Sequence, residues 1–251
     1  MPIIHIFNLT SWQWLWLIAG ALLIGFSKTG IGGVSMPVIP IIAGVFGGKA
    51  STGIILPMLI VGDVFALYYY NRHGEWVNIK KLLPWTIVGL MLGIIVGNYI
   101  NDKQFKAIIA VSVFICLFVL VYTEKKGESL NIPNKIWFYA LIGAGAGFTS
   151  MIGNAAGPLF TVYLLAMGFK KNSFLGTTAW FFFILNIFKI PLQIFFWHNI
   201  SMSTLTLTVF MIPAIAIGAT IGAIVIKRIK EKSFRYIIIG MTFIAAIRLL
   251  M

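Results

Sequence analysis

The chain has 251 residues, of which 60% are hydrophobic and only 10% are charged. A soluble domain carries roughly 25% charged residues, so this composition excludes an ordinary water-soluble globule and indicates a protein that sits in a lipid bilayer. The net charge of +13 lies mostly in short loops between apolar runs, where it indicates membrane topology rather than a nucleic-acid surface. The single cysteine, Cys116, excludes an internal disulfide and a cysteine-based metal cluster.

Ten apolar segments follow one another along the chain and predict an all-α integral membrane protein, with one transmembrane transport domain over residues 1–251. Their approximate bounds are 11–27, 31–46, 53–71, 82–100, 105–122, 136–151, 155–168, 173–197, 204–226 and 234–250. Segments 31–46 and 155–168 are shorter than the roughly 20 residues that a full crossing needs. Each is therefore expected either to cross the membrane or to form a re-entrant hairpin with the segment before it.

A glycine-rich break separates each short segment from the one before it. Gly25–Pro37 reads GFSKTGIGGVSMP, and Gly147–Pro158 reads GFTSMIGNAAGP. Hydrocarbon offers no water to satisfy the backbone groups that a break frees, so a break is tolerated only where it is buried in protein or lines a cavity. Two breaks at corresponding positions of two half-chains are typical of a transporter whose substrate binds between them.

The two halves of about five segments each are related by an internal repeat. Gly89 pairs with Gly218 at a spacing of 129 residues, and Asp63 pairs with Asn186 at a spacing of 123. The predicted parts are repeat 1 at about 11–122, a cytoplasmic linker at about 123–135 and repeat 2 at about 136–251. Because each half makes an odd number of crossings, the second half is expected to be inverted relative to the first.

The orientation follows from the basic residues between the segments. The loops after the third, fifth, seventh and ninth segments carry most of the lysines and arginines. The side that is richer in these residues is the cytoplasmic side. Both termini are therefore predicted on the non-cytoplasmic side.

The first break supplies a candidate anion site, because backbone N–H groups at the start of a following helix attract an anion and a lysine adds a full positive charge. Its candidate substrate-binding residues are Ser27, Lys28, Thr29, Gly30, Gly32 and Gly33. The alternative is that Lys28 is only a topology charge in a cytoplasmic loop.

The second break offers polar donors without a lysine. Its candidate substrate-binding residues are Ser150, Gly153, Asn154 and Gly157. The alternative is that these small residues only allow close helix packing. Because this break is neutral, we expect the charge of the site to come from the first one.

Asp63 is the one acid that lies well inside an apolar segment. An ionisable group in the membrane is costly and is by default functional. Three roles are open: a proton carrier for coupling, a cation ligand, or a salt-bridge partner of Lys28 or Lys189.

Lys189 lies three residues after Asn186, on the same helical face, and both are predicted to bind substrate. The alternative for Lys189 is a structural pair, or a side chain that reaches the membrane interface. Two lysines, Lys28 and Lys189, against Asp63 make the intramembrane charge positive. This balance favours an anionic substrate.

The motifs resemble those of the sulfite exporter TauE/SafE family, also called TSUP. The resemblance rests on GFSKTGIGGVSMPVIP at residues 25–40, LPMLIVGDVFALYYY at 56–70 and GFTSMIGNAAGPLFTVYLL at 147–165, and it covers essentially the whole chain. It implies a small bacterial inner-membrane protein with duplicated halves that moves a sulfur-containing anion such as sulfite, sulfoacetate or thiosulfate.

We therefore expect a secondary transporter of such an anion or a similar organosulfonate, which works by alternating access of the repeats and whose coupling to protons would run through Asp63. The alternative is an anion channel, or a carrier of a carboxylate or another small anion.

An enzyme would need several buried acids, or a nucleophile with a base, and self-contained repeats argue against a non-transporting subunit. No cofactor or metal is expected. The expected partners are the anion and the bilayer but not nucleic acid, and the sequence leaves a homodimer open.

Overall fold

The computed structural model describes residues 9–32, 34–35, 38–46, 48–99, 101, 104, 136–230, 233–234, 236–237 and 240. Within these ranges the secondary structure is helical, without a strand, which confirms the predicted all-α class. The helices are α1 Ser11–Thr29, α2 Val38–Phe46, α3 Gly48–Tyr70, α4 Trp76–Gly97, α5 Ile136–Gly153, α6 Gly157–Ala166, α7 Lys171–Leu192 and α8 Met202–Arg228. A 3₁₀ turn, Asn71–His73, follows α3, and a π-helical turn, Gln193–Trp197, continues α7.

Several of these helices can cross a bilayer. In the described part of the chain, five stretches are long and apolar enough: Ala50–His73, Trp76–Gly97, Ile136–Gly153, Lys171–Trp197 and Met202–Arg228. Large apolar side chains face outward from them, including Val209 at 61% and Leu141 at 66% exposure. An apolar surface of this extent requires a lipid covering rather than water. The protein is thus a multi-pass membrane protein.

The helices extend further than the apolar runs that predicted them. The third segment was predicted from residue 53 and the fourth from residue 82, whereas α3 begins at Gly48 and α4 at Trp76. The first turns of α4 include Lys80 and Lys81, both exposed. An apolar pattern stops at such lysines, but the backbone hydrogen bonds of a helix continue through them. The predicted segment 105–122 and the linker lie outside the described residues, and so does most of segment 234–250.

Both predicted breaks interrupt the helical structure. The first separates α1, which ends at Thr29, from α2, which begins at Val38. The second separates α5, which ends at Gly153, from α6, which begins at Gly157. A helix of about ten residues rises about 15 Å, which is half of a hydrocarbon core of about 30 Å. The prediction of two short segments after two breaks is confirmed.

Close backbone contacts, made possible by glycine, join the two halves. On α1, a Cβ added to Gly25 would collide with the backbone of Ile215 on α8, and on α5, one added to Gly147 would collide with the backbone of Thr86 on α4. Small residues bring membrane helices together in this way. Gly25 and Gly147 correspond in the predicted repeat, as do Ile215 and Thr86. The same correspondence holds for the pairs Gly218–Leu22 and Gly89–Ala144.

The long helices α3 and α7 run antiparallel at the centre of the molecule. Near one end Gly53 lies against Asn199, and near the other Gly176 lies against the turn that follows α3. Between these ends, Asn186 donates a hydrogen bond to Asp63. The end of α1 reaches this pair of helices at Asp63, through Lys28, and the end of α5 reaches it at Lys189 of α7.

Candidate functional site

A buried ion pair links the first break to α3. Lys28 lies in the last turn of α1, and its Nζ is 2.6 Å from Asp63 Oδ1, with Asp63 fully buried. The other carboxylate oxygen, Oδ2, accepts a hydrogen bond of 2.7 Å from Asn186 Nδ2. Among the open roles of Asp63, this geometry shows the salt bridge to Lys28. It also places a protonatable carboxylate at the contact between the two halves.

Two neighbours guide the long Lys28 side chain to Asp63. A Cβ at Gly62 would lie 2.9 Å from Lys28 Cγ, so glycine at this position leaves room for the lysine stem. The Lys28 ammonium also lies over the ring of Phe182, 4.7 Å from its centroid. A cation over an aromatic face is attracted by the ring quadrupole. Lys28 is therefore held inside the helix bundle and is not a topology charge in a loop.

A fully buried lysine reaches the other break. Lys189 of α7 is fully buried, and its Nζ donates to Ser150 Oγ at 3.2 Å and to Asn154 Oδ1. The expectation that the first break alone supplies the charge is therefore wrong. The positive charge at the second break comes from Lys189, 35 residues beyond Asn154. Because this lysine lies outside the break, the sequence of the break does not reveal it.

Asn154 occupies an unusual backbone position in the second break. Its φ is 54°, in the left-handed region that asparagine tolerates better than most side chains. This conformation ends α5 and turns the chain toward α6. While Oδ1 accepts from Lys189, the buried Nδ2 has no hydrogen-bond partner in the described ranges. The amide thus retains an NH2 group that can donate to an oxygen of a ligand.

The two breaks meet at a small cavity of about 20 Å³, next to Asn154 and Ser35. Its other walls are apolar side chains of α1, α2 and α3. A space of this size holds about one water molecule. Ser35 itself donates a 3.1 Å hydrogen bond to Ser27 Oγ, so polar groups of both breaks lie around one opening.

The remaining predicted residues serve mainly to shape the breaks. Thr29 donates to Ala219 O on α8 at 2.5 Å, and Gly30 caps α1, where an added Cβ would lie 2.9 Å from Gly222 Cα. Gly32 lies in the following turn, and Gly33 lies outside the described residues. Gly153 ends α5 and Gly157 begins α6. Their roles in substrate binding stay predictions.

Three residues near the candidate site were not predicted: Ser35, Gly62 and Phe182. Ser35 lies within the quoted GFSKTGIGGVSMP run and could have been included as a hydroxyl donor. Gly62 adjoins Asp63, but nothing in the sequence tells that it faces Lys28. Phe182 lies in an aromatic run, FFF at 181–183, and one-dimensional spacing does not reveal which ring meets a cation.

The charges of the site form one electrostatic group. Asp63 pairs with Lys28 and accepts a hydrogen bond from Asn186, and Lys189 lies one helical turn after Asn186 on the same face of α7. The described residues contain no cluster of His, Cys, Asp and Glu that would suit a metal ion. Two ammonium groups, one carboxylate and several neutral donors form an environment that attracts anions.

Comparison with known proteins agrees with this picture. The family profile described as "Sulfite exporter TauE/SafE" matches residues 17–249. A curated relative, "Probable membrane transporter protein MamO" of Paramagnetospirillum magneticum (strain ATCC 700264 / AMB-1), is 26% identical over 141 residues, covering 47% of this chain and 21% of the relative. The chain thus spans about a fifth of that relative's length. No solved structure matches the chain significantly. Since the profile spans nearly all of its segments, the chain belongs to the TauE/SafE sulfite exporter family of membrane transporters.

Proposed function

We propose that this protein is a secondary transporter that moves a small sulfur-containing anion across the bacterial inner membrane. The class includes sulfite, sulfoacetate, thiosulfate and similar organosulfonates. The observation that carries this proposal is the placement of a lysine at each helix break. Lys28 of the first break pairs with the buried Asp63, and the buried Lys189 donates to Ser150 and Asn154 of the second break. Membership of the TauE/SafE family supports the sulfur chemistry, and the similarity to the probable membrane transporter MamO supports transport.

The balance of charges favours an anion as the substrate. Lys28 is paired with Asp63, whereas Lys189 makes no salt bridge within the described ranges and donates to the neutral oxygens of Ser150 and Asn154. A buried charge is costly unless it is paired. An oxyanion beside Lys189 would supply the missing negative charge, and the free Asn154 Nδ2 would donate to one of its oxygens.

Asp63 gives the site a way to couple the anion to protons. A proton that binds the Asp63 carboxylate neutralises it and breaks its ion pair with Lys28. The Lys28 ammonium is then free to pair with an oxygen of the anion. When the proton leaves, the carboxylate recaptures Lys28 and the anion is released. In each cycle one proton accompanies the anion in the same direction.

Alternating access fits the arrangement of the helices. The cavity of about 20 Å³ is too small for an oxyanion, so binding requires the helices around the breaks to separate. α3 and α7 cross antiparallel at Asp63 and Asn186, which are equivalent positions of the two halves. This crossing supports the expectation of inverted repeats that rock about the site. The distribution of basic loops supports an orientation with both termini on the non-cytoplasmic side.

Uptake of radiolabelled sulfite into proteoliposomes tests this function, with empty liposomes as the control. We expect flux above the control, and we expect Lys28→Ala to lose most of it. No flux above empty liposomes would exclude sulfite as a substrate, and full flux with Lys28→Ala would exclude the proposed anion site.

The same vesicles separate a carrier from a channel. A coupled carrier accumulates sulfite above the external concentration when an inward proton gradient is imposed, whereas a channel only equilibrates it. Competition by acetate as strong as that by sulfite would favour a carboxylate carrier.

A further inference from the structure

Gln193 is a buried polar side chain that the proposed mechanism does not use. It is the first residue of the π-helical turn after α7 and is fully buried. Neither its Nε2 nor its Oε1 has a hydrogen-bond partner among the described residues. An apolar side chain of similar size would fill this position without the desolvation penalty of an unpaired amide. The unpaired amide therefore destabilises the unliganded fold. A ligand that forms a hydrogen bond with the amide would offset this penalty.

Its position extends the polar face of α7. Gln193 lies four residues after Lys189 and seven after Asn186, so the three share one face of the helix. Asn186 contacts Asp63, and Lys189 contacts the second break. Gln193 is the next polar group in this row, one helical turn beyond Lys189. π-Helical turns such as the one that begins here occur frequently at functional sites.

The equivalent position in the first half differs in one respect. At the spacing that relates Asp63 to Asn186, the counterpart of Gln193 is Tyr70. The Tyr70 hydroxyl donates a 2.7 Å hydrogen bond to the carbonyl of Thr29 at the end of α1. A polar group at this position is thus satisfied by the break in the first half but left free in the second. The unpaired Gln193 amide lies in the second half, and Lys189 of the same half makes no salt bridge within the described residues.

We propose that Gln193 is a further substrate-binding residue, whose amide N–H donates to an oxygen of the anion that Lys189 holds. This inference rests on the proposed function. It assigns the amide to the part of the path between Lys189 and the end of α7. A neutral donor adds a hydrogen bond without adding a third positive charge, so the anion is bound and can still be released.

The test is Gln193→Leu, which keeps the approximate size and removes both polar atoms. We expect the KM for sulfite uptake to rise about tenfold or more, because a hydrogen bond to a charged group is lost. Thermal unfolding of the unliganded protein should occur at the same or a higher temperature, since the unpaired amide is gone.

Thr178→Val is the matched control. Thr178 lies on the same helix, and its Oγ1 is likewise buried without a partner in the part of the chain that is described. It lies 11 residues before Lys189, about 16 Å along the helix at 1.5 Å per residue. Its replacement removes an unpaired hydroxyl about three helical turns from Lys189, so the KM should not change.

The KM of the folded protein decides the outcome. A rise with Gln193→Leu but not with Thr178→Val supports the assignment, whichever way the unfolding temperature moves. An unchanged KM, with wild-type flux intact, overturns the role of Gln193 and leaves the proposed function standing. If sulfite and thiosulfate give neither flux nor a thermal shift with the wild-type protein, the proposed function fails and this inference fails with it.

Discussion

Asp63 accepts a 2.7 Å hydrogen bond from Asn186, and these two residues lie 123 positions apart, at the spacing that relates the two halves of the chain. Equivalent positions of a repeat can touch only near the axis that relates the halves. Because α3 and α7 run antiparallel at this contact, the axis of the proposed inverted repeat would run across the helices. In the proposed rocking of the halves, the buried carboxylate would therefore move least, which suits the proposed coupling role of Asp63.

Asp63→Asn should remove the dependence of transport on a proton gradient while anion binding persists. Asparagine resembles a protonated carboxyl group in shape and can still bond to Asn186, but it cannot take up a proton. Sulfite flux measured with and without an imposed pH gradient checks this. The double variant Asp63→Asn with Asn186→Asp returns one carboxylate to the contact and should recover part of the dependence. A pH dependence that is unchanged in Asp63→Asn would remove Asp63 from the coupling role.

Lys28→Met should destabilise the protein strongly, because it leaves the Asp63 carboxylate buried without its cation. Removal of one partner of a buried pair costs about 3–5 kcal/mol. The double variant Lys28→Met with Asp63→Asn removes both charges and should recover much of the loss. Thermal unfolding in detergent measures both variants. Lys80→Met, at an exposed position, is the matched control and should unfold like the wild type; equal losses in the single and double variants would contradict the pair.

Lys189→Met should weaken anion binding about 10- to 100-fold, since hydrogen bonds to charged groups contribute about 1.5–3 kcal/mol. The shift in unfolding temperature with sulfite concentration gives the affinity, because a ligand stabilises the folded state as its concentration exceeds the dissociation constant. Lys80→Met again serves as the comparison. An equal sulfite response in both variants would place the anion elsewhere.

Asn154→Gly and Asn154→Ala separate the backbone of the second break from its side chain. Both remove the amide that contacts Lys189, so both should lose transport. Glycine adopts the observed φ of 54° freely, whereas alanine in the left-handed region costs about 1–2 kcal/mol. Thermal unfolding should therefore show the greater loss for alanine. Full transport with the glycine variant would show that the amide is dispensable.

Gly147→Ala should disrupt the contact between α5 and α4, whereas Gly145→Ala should be tolerated. A Cβ at position 147 would collide with the Thr86 backbone, while one at 145 would lie 3.7 Å from Leu159 in ordinary contact. Overpacking of this kind costs about 1–3 kcal/mol or more, and alanine otherwise favours a helix over glycine by about 1 kcal/mol. Gly147→Ala should therefore give a lower yield and a lower unfolding temperature than Gly145→Ala. Similar behaviour of both would mean that the helices can move apart.

The sequence indicated the broken helices and their duplication because both leave marks in one dimension. Gly25–Pro37 and Gly147–Pro158 interrupt apolar runs, and glycines recur at fixed spacings in both halves. The limits of α3 and α4 were less predictable, because a helix passes into the polar boundary of the membrane without a change in its backbone pattern. Lysines such as Lys80 end the apolar run but not the helix.

By itself, the sequence determined the all-α membrane class, the two breaks and the presence of Lys28, Asp63 and Lys189 in apolar surroundings. Only the tertiary structure decided which groups these charges contact. Asp63 pairs with Lys28, and Lys189 places its positive charge at the second break. The crossing of α1, α3 and α7 brings together residues that are far apart in the chain, and it therefore determines the partners of each buried charge. Hydropathy and spacing report the environment along one helix, and they contain no information on which side chain of another helix completes it.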